Sequence, residues 1–262
     1  MPRSDAAELL RAYDDNGYVI VRNVIDANLA AEACDHVQWL LKQNPGLRPE
    51  DLHHNLAIND PFWHRLISDD RLVDLAEVFI GPNVALFATH YIAKPAKTGR
   101  VVLWHQDGSY WPLEPMEVTT LWLACSSSTK ENGCMRVIPG TQNLDLQQMV
   151  ENKGVDSVLG SEIDASFVDD SNAVDFELAP GDVSIHNPKI VHGSNANTSD
   201  TWRVGLTIRY MPTSTRITRE GAGCPWLLRG EAVPGVNDYL PIPDYVEDKH
   251  FPFKGARNAI SS

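Results

Sequence analysis

Side chains suited to binding a metal and an anion concentrate in two short segments, VVLWHQDGSYW at 101–111 and IVHGSNANTSDTWRVGLTIRY at 190–210. In the first, His105 and Asp107 stand two positions apart in a segment that reads as a β-strand, where alternate side chains leave the same face. A strand presents two metal ligands together in this way, although an isolated His-X-Asp also occurs as a hydrogen-bonded surface pair. The second segment sets two β-like runs around the turn-rich NANTSDT, which predicts a β-hairpin centred near Asn197 and Thr198. In that register His192 lies opposite Arg203, and Ser194 shares the face of His192 one pleat closer to the turn. A slip of one residue would turn Arg203 away.

A histidine, a hydroxyl and an arginine belong together if something anionic lies beside a metal. Arginine grips a carboxylate through two parallel charge-assisted hydrogen bonds, and Ser194 can add a third. Two histidines and one carboxylate occupy one face of an octahedral iron, leaving three positions for a bidentate 2-oxo acid and dioxygen. Arg203 would then hold the far carboxylate of 2-oxoglutarate. A zinc hydrolase also uses two histidines, a carboxylate and water, but has no use for Arg203 and Ser194 beside the third ligand. A jelly roll that binds a metal or small molecule without turnover is the remaining alternative.

The elements that must position these residues are mostly strands. From Val84 the chain runs through VALFATHYIAK, VVLWHQD, TTLWLAC, MRVIPG, VDFELAPGDVSIHN, IVHGS and WRVGLTIRYMP, separated by turns. Short strands without long helical segments between them predict a sandwich or jelly roll rather than a doubly wound sheet. Before them, a helix through Leu9, Leu10 and Tyr13 is expected to end near Gly17, and YVIVRNV at 18–24 reads as a strand. Asp26 is placed to cap a helix with apolar positions Ala30, Ala33, Cys34, Val37, Leu40 and Leu41. Another helix carries Leu72, Leu75, Ala76 and Phe79 between Asp69 or Asp70 and Gly81-Pro82. The expectation is a single mainly β domain over 1–262: a helical part at 1–83, a core at 84–212, and a segment at 213–262 that wraps it as loops and short helices. Long connections at 43–60, at 154–172 and after Thr213 are the expected lids.

Taken as ordered blocks, WHQDGSYW, NGCMRVIPGT and PGDVSIHNPKIVHGSNAN, with an arginine eleven residues after the distal histidine, make the stretch from Tyr91 to Met211 resemble the phytanoyl-CoA dioxygenase family. The resemblance implies a double-stranded β-helix, a cupin-like jelly roll, and an Fe(II)- and 2-oxoglutarate-dependent dioxygenase that consumes O2 and releases succinate and CO2. It makes His105, Asp107 and His192 the iron ligands, and has Arg203 and Ser194 bind the distal carboxylate of 2-oxoglutarate. Trp122, matched once a one-residue gap is allowed in the preceding loop, would line the cofactor pocket. Lys94 matches a family lysine before the His-X-Asp block. Gln106 and Asn197 match positions that orient ligands and the turn. Some relatives carry a histidine near His186, which shares strand parity with His192 and is read either as touching substrate or iron-bound water, or as a hydrogen-bonded pocket histidine. His53, His54 and His90 read as structural or exposed, and Trp104 and Trp111 as core or pocket wall.

Related halogenases replace the metal-binding carboxylate with a small residue, so Asp107 argues against halogenation. Hydroxylation of an unactivated C–H is the expected outcome, with desaturation, cyclisation and epimerisation using the same ligands. Lys and Arg total 22 against 35 Asp and Glu, a formal charge of -13, which disfavours nucleic acid or an anionic membrane as partner and favours a small molecule. A coenzyme A thioester would call for cations, and Lys94, Lys97, Arg100, Arg216, Arg219 and Arg229 form no dense cluster in sequence. Cys34, Cys125, Cys134 and Cys224 are scattered without a Cys-X-X-Cys pair, and no secretory or membrane-spanning run is seen. Reduced thiols in a cytoplasmic protein are expected.

Overall fold

The computed structural model describes residues 3–256. Among these the chain forms α1 (Arg3–Asn16), β1 (Tyr18–Val21), α2 (Ala27–Gln43), β2 (Leu52–His53), α3 (His54–Ala57), α4 (Pro61–Ile67) and α5 (Asp70–Ile80). There follow β3 (Val84–Lys94), β4 (Val102–His105), β5 (Leu113–Glu114), β6 (Thr119–Ala124), β7 (Met135–Ile138), β8 (Val150–Glu151), β9 (Ser161–Glu162) and β10 (Val174–Asp175). The last strands are β11 (Val183–His186), β12 (Val191–Ser194), β13 (Arg203–Pro212), β14 (Arg216–Ile217) and β15 (Trp226–Arg229).

Capping chemistry sets the helices. The Asp26 carboxylate accepts from the Leu29 N–H at 3.1 Å at the start of α2, and Asp69 caps α5, which ends at Gly81 with a φ of 81°. The apolar stripes turn inward as expected, Ala30, Ala33, Val37 and Leu40 on α2 and Leu72, Leu75 and Ala76 on α5 being buried. The sequence reading missed α4, although Asp60 caps it and Pro61 sits in its first turn. Asp60 does two jobs there: Oδ1 accepts from the Trp63 N–H at 2.8 Å, and Oδ2 pairs with the buried His36 Nε2 at 2.8 Å. Asp60→Ala is therefore expected to cost about 2–3 kcal/mol, a lost cap plus an unpaired buried imidazole, while Asp60→Asn keeps most of the cap. Urea midpoints of the two variants check this.

The strands form two facing antiparallel sheets. The larger runs β1-β11-β6-β13-β3-β15, with β2 also on β3, and the smaller runs β10-β7-β12-β4. This is the mainly β, jelly-roll architecture expected, the double-stranded β-helix with helices on one side. The central strands are buried on both faces, so they read as continuous apolar runs. In β6, Leu121 and Leu123 join the core shared with α2, α4 and α5, while Trp122 and Ala124 face Met135, Val137 and Ile190. The helices thus seal the outside of the larger sheet and leave its inside free to form a site.

Two expectations need correction. NANTSDT closes no hairpin: β12 pairs with β4 and β7, whereas β13 pairs with β3 and β6, so this segment carries the chain from one sheet to the other. Arg203 lies opposite Lys94, not His192. Asn197 holds the crossover, its amide donating to the Lys94 and Thr201 carbonyls at 3.1 and 2.8 Å. The second correction concerns the C-terminal segment, which among the described residues contributes strands and loops but no helix. Its β15 extends the larger sheet beside β3, and Trp226 and Phe251 enter the helix-side core. The four cysteines are free thiols, and no helix among the described residues is long and apolar enough to cross a membrane.

Candidate metal centre

Neighbouring strands β4 and β12 place His105 opposite His192, with ring centroids 4.1 Å apart. Each imidazole is aimed by its own backbone. His105 Nδ1 lies 2.8 Å from the Leu103 carbonyl and His192 Nδ1 3.0 Å from that of Ile190. A carbonyl only accepts, so both Nδ1 atoms carry the proton and both Nε2 lone pairs are left for a metal.

Asp107 reaches the same point by a different route from the one expected. The strand ends at His105, and Asp107 begins a single 3-10 turn, Asp107–Tyr110. Its position follows from that turn, not from strand parity. Asp107 Oδ1 lies 3.5 Å from His105 Nε2 and Oδ2 lies 4.0 Å from His192 Nε2. Ligand atoms of all three buried residues fall within 4.8 Å of one another. Burial opposes the Asp107 charge, but the Arg209 guanidinium and the neighbouring imidazoles outweigh it and hold the carboxyl well below its usual range. Burial and the adjacent His105 push His192 well below the ordinary imidazole range. Neutral imidazole and ionised carboxylate are the states that bind metal. Two nitrogens and one oxygen converging from one side fit a hexacoordinate Fe(II) with open positions.

Arg203 arrives from the opposite sheet. Its guanidinium lies 5.2 Å over the Trp122 ring, the residue is 2% exposed, and its Nε has no hydrogen-bond partner among the described residues. Burial pulls its pKa down to about 10. A buried cation without an anion is costly, and a ligand carboxylate is the group that would satisfy it. Ser194 stands on the same cavity wall, and its hydroxyl accepts from Lys94 Nζ at 2.7 Å. Lys94 also donates to the Asn195 carbonyl and is not itself on that wall, so it holds Ser194 in place from behind. Gln106 ties the metal turn to the loop before β12, donating to the Lys189 carbonyl at 2.7 Å and accepting from the Gln147 N–H at 2.8 Å.

Gly205 makes room for this arrangement, because a Cβ there would stand 2.0 Å from Trp122 Cζ2. Gly205→Ala is expected to push Trp122 off Arg203, costing about 1–3 kcal/mol of stability. The KM for 2-oxoglutarate should rise while bound iron is unchanged, which kinetics beside metal analysis would check.

The cavity holds about 540 Å³ of empty space, its open mouth included. Val158 and Leu159, from the expected lid at 154–172, form part of its lining. The 43–60 connection touches it indirectly, the Glu50 carbonyl accepting from His90 Nε2 at 2.9 Å. Among the described residues, the segment after Thr213 contributes no lining residue. His186 faces His192 from the other sheet, ring centroids 4.9 Å apart, with both ring nitrogens buried and unpartnered. Trp104 lies under Arg136 and packs with Ile138 and Val191, a packing role; Trp111 packs between Phe87 and Arg209.

Two titratable lining residues were missed. His90, read as structural or exposed, is buried on the cavity wall, and burial takes its pKa down to about 3. Arg209 places Nη2 3.6 Å from Asp107 Oδ2. A signal existed for it, since it lies six residues beyond Arg203 on one strand and so on the same face.

Comparison with known proteins places the chain in a family. A probable phytanoyl-CoA dioxygenase of Caenorhabditis elegans is 26% identical over 233 residues, covering 78% of this chain and 75% of that protein. An ectoine dioxygenase of Sphingopyxis alaskensis is 26% identical over 258 residues, covering 86% and 84%. Among solved structures, the apo form of the non-heme monooxygenase ThoJ superposes with a TM-score of 0.77 at 23% identity, covering 90% of this chain and 88% of that one. The family model described as phytanoyl-CoA dioxygenase matches residues 13–205, from within α1 to β13, and with that match the chain belongs to the phytanoyl-CoA dioxygenase family of Fe(II)- and 2-oxoglutarate-dependent dioxygenases.

Proposed function

We propose that the protein hydroxylates an unactivated C–H bond of a small metabolite or natural-product intermediate, with His105, Asp107 and His192 holding Fe(II) and Arg203 and Ser194 holding 2-oxoglutarate. The observation that carries the reading is the buried, unpaired Arg203 guanidinium across the cavity from three converging metal-ligand atoms. A zinc hydrolase gives that arginine nothing to do. Iron with 2-oxoglutarate and dioxygen supplies the oxidising chemistry and releases succinate and CO2.

The chain's own residues do the positioning. Trp122 fixes the plane of the Arg203 guanidinium, Lys94 presents the Ser194 hydroxyl, and the apolar wall of Ile92, Val102 and Met135 keeps water from the reacting centre. Support for one catalytic domain comes from the large core shared by α2, α4, α5, the larger sheet and Phe251.

A small substrate is favoured because five of the six cations that might hold a polyphosphate, all but Arg219, are already engaged. Arg100 pairs with Asp51 at 2.7 Å, Lys97 with Asp200 at 3.0 Å, and Arg229 with Asp74 and Glu77 at 2.6 and 2.8 Å. Arg216 is spent on the Gly235 and Val236 carbonyls, and Lys94 is buried behind Ser194.

Turnover under labelled dioxygen tests the outcome. One labelled atom in succinate and one in the product supports hydroxylation. A product lacking two hydrogens, or isomeric with the substrate, would assign desaturation, cyclisation or epimerisation instead.

A further inference from the structure

Beside the metal-ligand trio lies a second set of polar groups that the reaction above does not use. The pairing of three adjacent strands is in register here: His186 on β11 stands opposite Thr120 on β6, and Thr120 stands opposite Arg209 on β13. All three share the face that carries Trp122 and looks into the barrel. They form one row across the sheet, with His186 Nε2 at 4.0 Å and Arg209 Nη2 at 3.6 Å from Asp107 Oδ2.

The row is rich in unspent hydrogen-bonding capacity. Both ring nitrogens of His186, the Thr120 hydroxyl and Arg209 Nε are buried without a partner among the described residues, at 1% exposure for His186 and 0% for Thr120. Arg209 makes one side-chain hydrogen bond, to Thr207 Oγ1 at 3.0 Å, and stacks over Trp111. Leaving so many buried groups unmatched costs stability that a bound ligand would return.

Charge selects the ligand. Among the described residues, the charged side chains on the cavity wall are those of Asp107, Arg203 and Arg209. A divalent iron and the 2-oxoglutarate dianion cancel, and Asp107 offsets one arginine, so one positive charge remains uncompensated in a low-dielectric site. Lys94, behind Ser194, does not reduce that excess.

We infer that Arg209, with Thr120 and His186 beside it, is the substrate anchor, and that the group it takes is a monoanion, a carboxylate, held next to the metal. The inference rests on the oxygenase reading above and narrows its substrate class. Arg209 acts as a guanidinium fork, His186 supplies a neutral bond from the cavity wall, Thr120 completes the row beside them, and the rest of the substrate extends toward Val158 and Leu159.

The test uses full-length protein loaded anaerobically with Fe(II) and 2-oxoglutarate, reading the iron–2-oxoglutarate charge-transfer absorption rather than turnover. Probes are straight-chain and cyclic monocarboxylates, each paired with its primary amide. Carboxylates are expected to perturb the band at concentrations at least about tenfold below their amides. Arg209→Gln should abolish that preference and Arg209→Lys retain most of it, both with wild-type melting temperatures. If the band never forms, the oxygenase reading itself fails. If it forms and no carboxylate outperforms its amide, the anchor is refuted. If Arg209→Gln instead weakens 2-oxoglutarate as much as loss of Arg203 does, Arg209 belongs to the co-substrate and the inference is overturned.

Discussion

Replacing His192 by alanine is expected to strip the protein of iron and take 2-oxoglutarate turnover below detection. The site brings three atoms able to ligate a metal within 4.8 Å of one another, two from imidazoles whose Nδ1 protons are tied to backbone carbonyls. Removing one leaves a bidentate pair that cannot occupy an octahedral face. Losing even an outer-shell partner typically costs about 10–100-fold in metal affinity, and a direct ligand costs more. Metal content after dialysis, measured with succinate formation, checks this. Asp107→Asn, which keeps the shape and removes the charge, should behave similarly. A His192→Ala protein that retained stoichiometric iron and turned over would place the metal elsewhere.

Arg203→Met is expected to weaken 2-oxoglutarate binding by about 2–5 kcal/mol, roughly thirtyfold to several thousandfold, while leaving iron in place. The variant should also carry a stability signature that a merely structural residue would not. In the unliganded wild type the guanidinium is buried over Trp122 with its Nε unmatched. An apolar side chain of similar length relieves that penalty, so the variant without ligand should melt no lower than wild type. Added 2-oxoglutarate should raise the melting temperature of the wild type only, since a ligand stabilises the state it binds. Equal thermal shifts in both proteins would remove Arg203 from the co-substrate site.

The residues that converge on the cavity were more legible in the sequence than the geometry that brings them together. Metal ligation and carboxylate binding demand particular side chains, so His105, Asp107, His192 and Arg203 could be singled out before any fold was known. The routes assigned to them were partly wrong. Asp107 comes to His105 and His192 through a 3-10 turn, and Arg203 lines the same cavity as His192 from the other sheet rather than along a hairpin. A turn signal such as NANTSDT reports that the chain bends, but the partner of the next strand is settled by long-range pairing, here β13 with β3 and β6. The strands were legible because their residues are apolar on both faces, and α2 and α5 because of capping aspartates and inward stripes.

His90 and Arg209 escaped for a related reason. An isolated histidine in a strand could face either layer, and only the pairing of β3 with β13 and β2 turns His90 to the cavity. Arg209 shares parity with Arg203, but its value depends on Asp107 and His186 converging from other strands. The short α4 had a usable signal in Asp60-Pro61, and its seven residues were too few for a helical period to stand out.

Succinate formation coupled to oxygen uptake, by anaerobically purified protein supplied with Fe(II) and 2-oxoglutarate, tests the central claim most directly. Succinate should form only when both are present, be stimulated by the substrate in a screen of small metabolites, and be absent from His192→Ala. No 2-oxoglutarate binding and no succinate from iron-loaded protein, or ester or amide hydrolysis that appears with zinc, would contradict it.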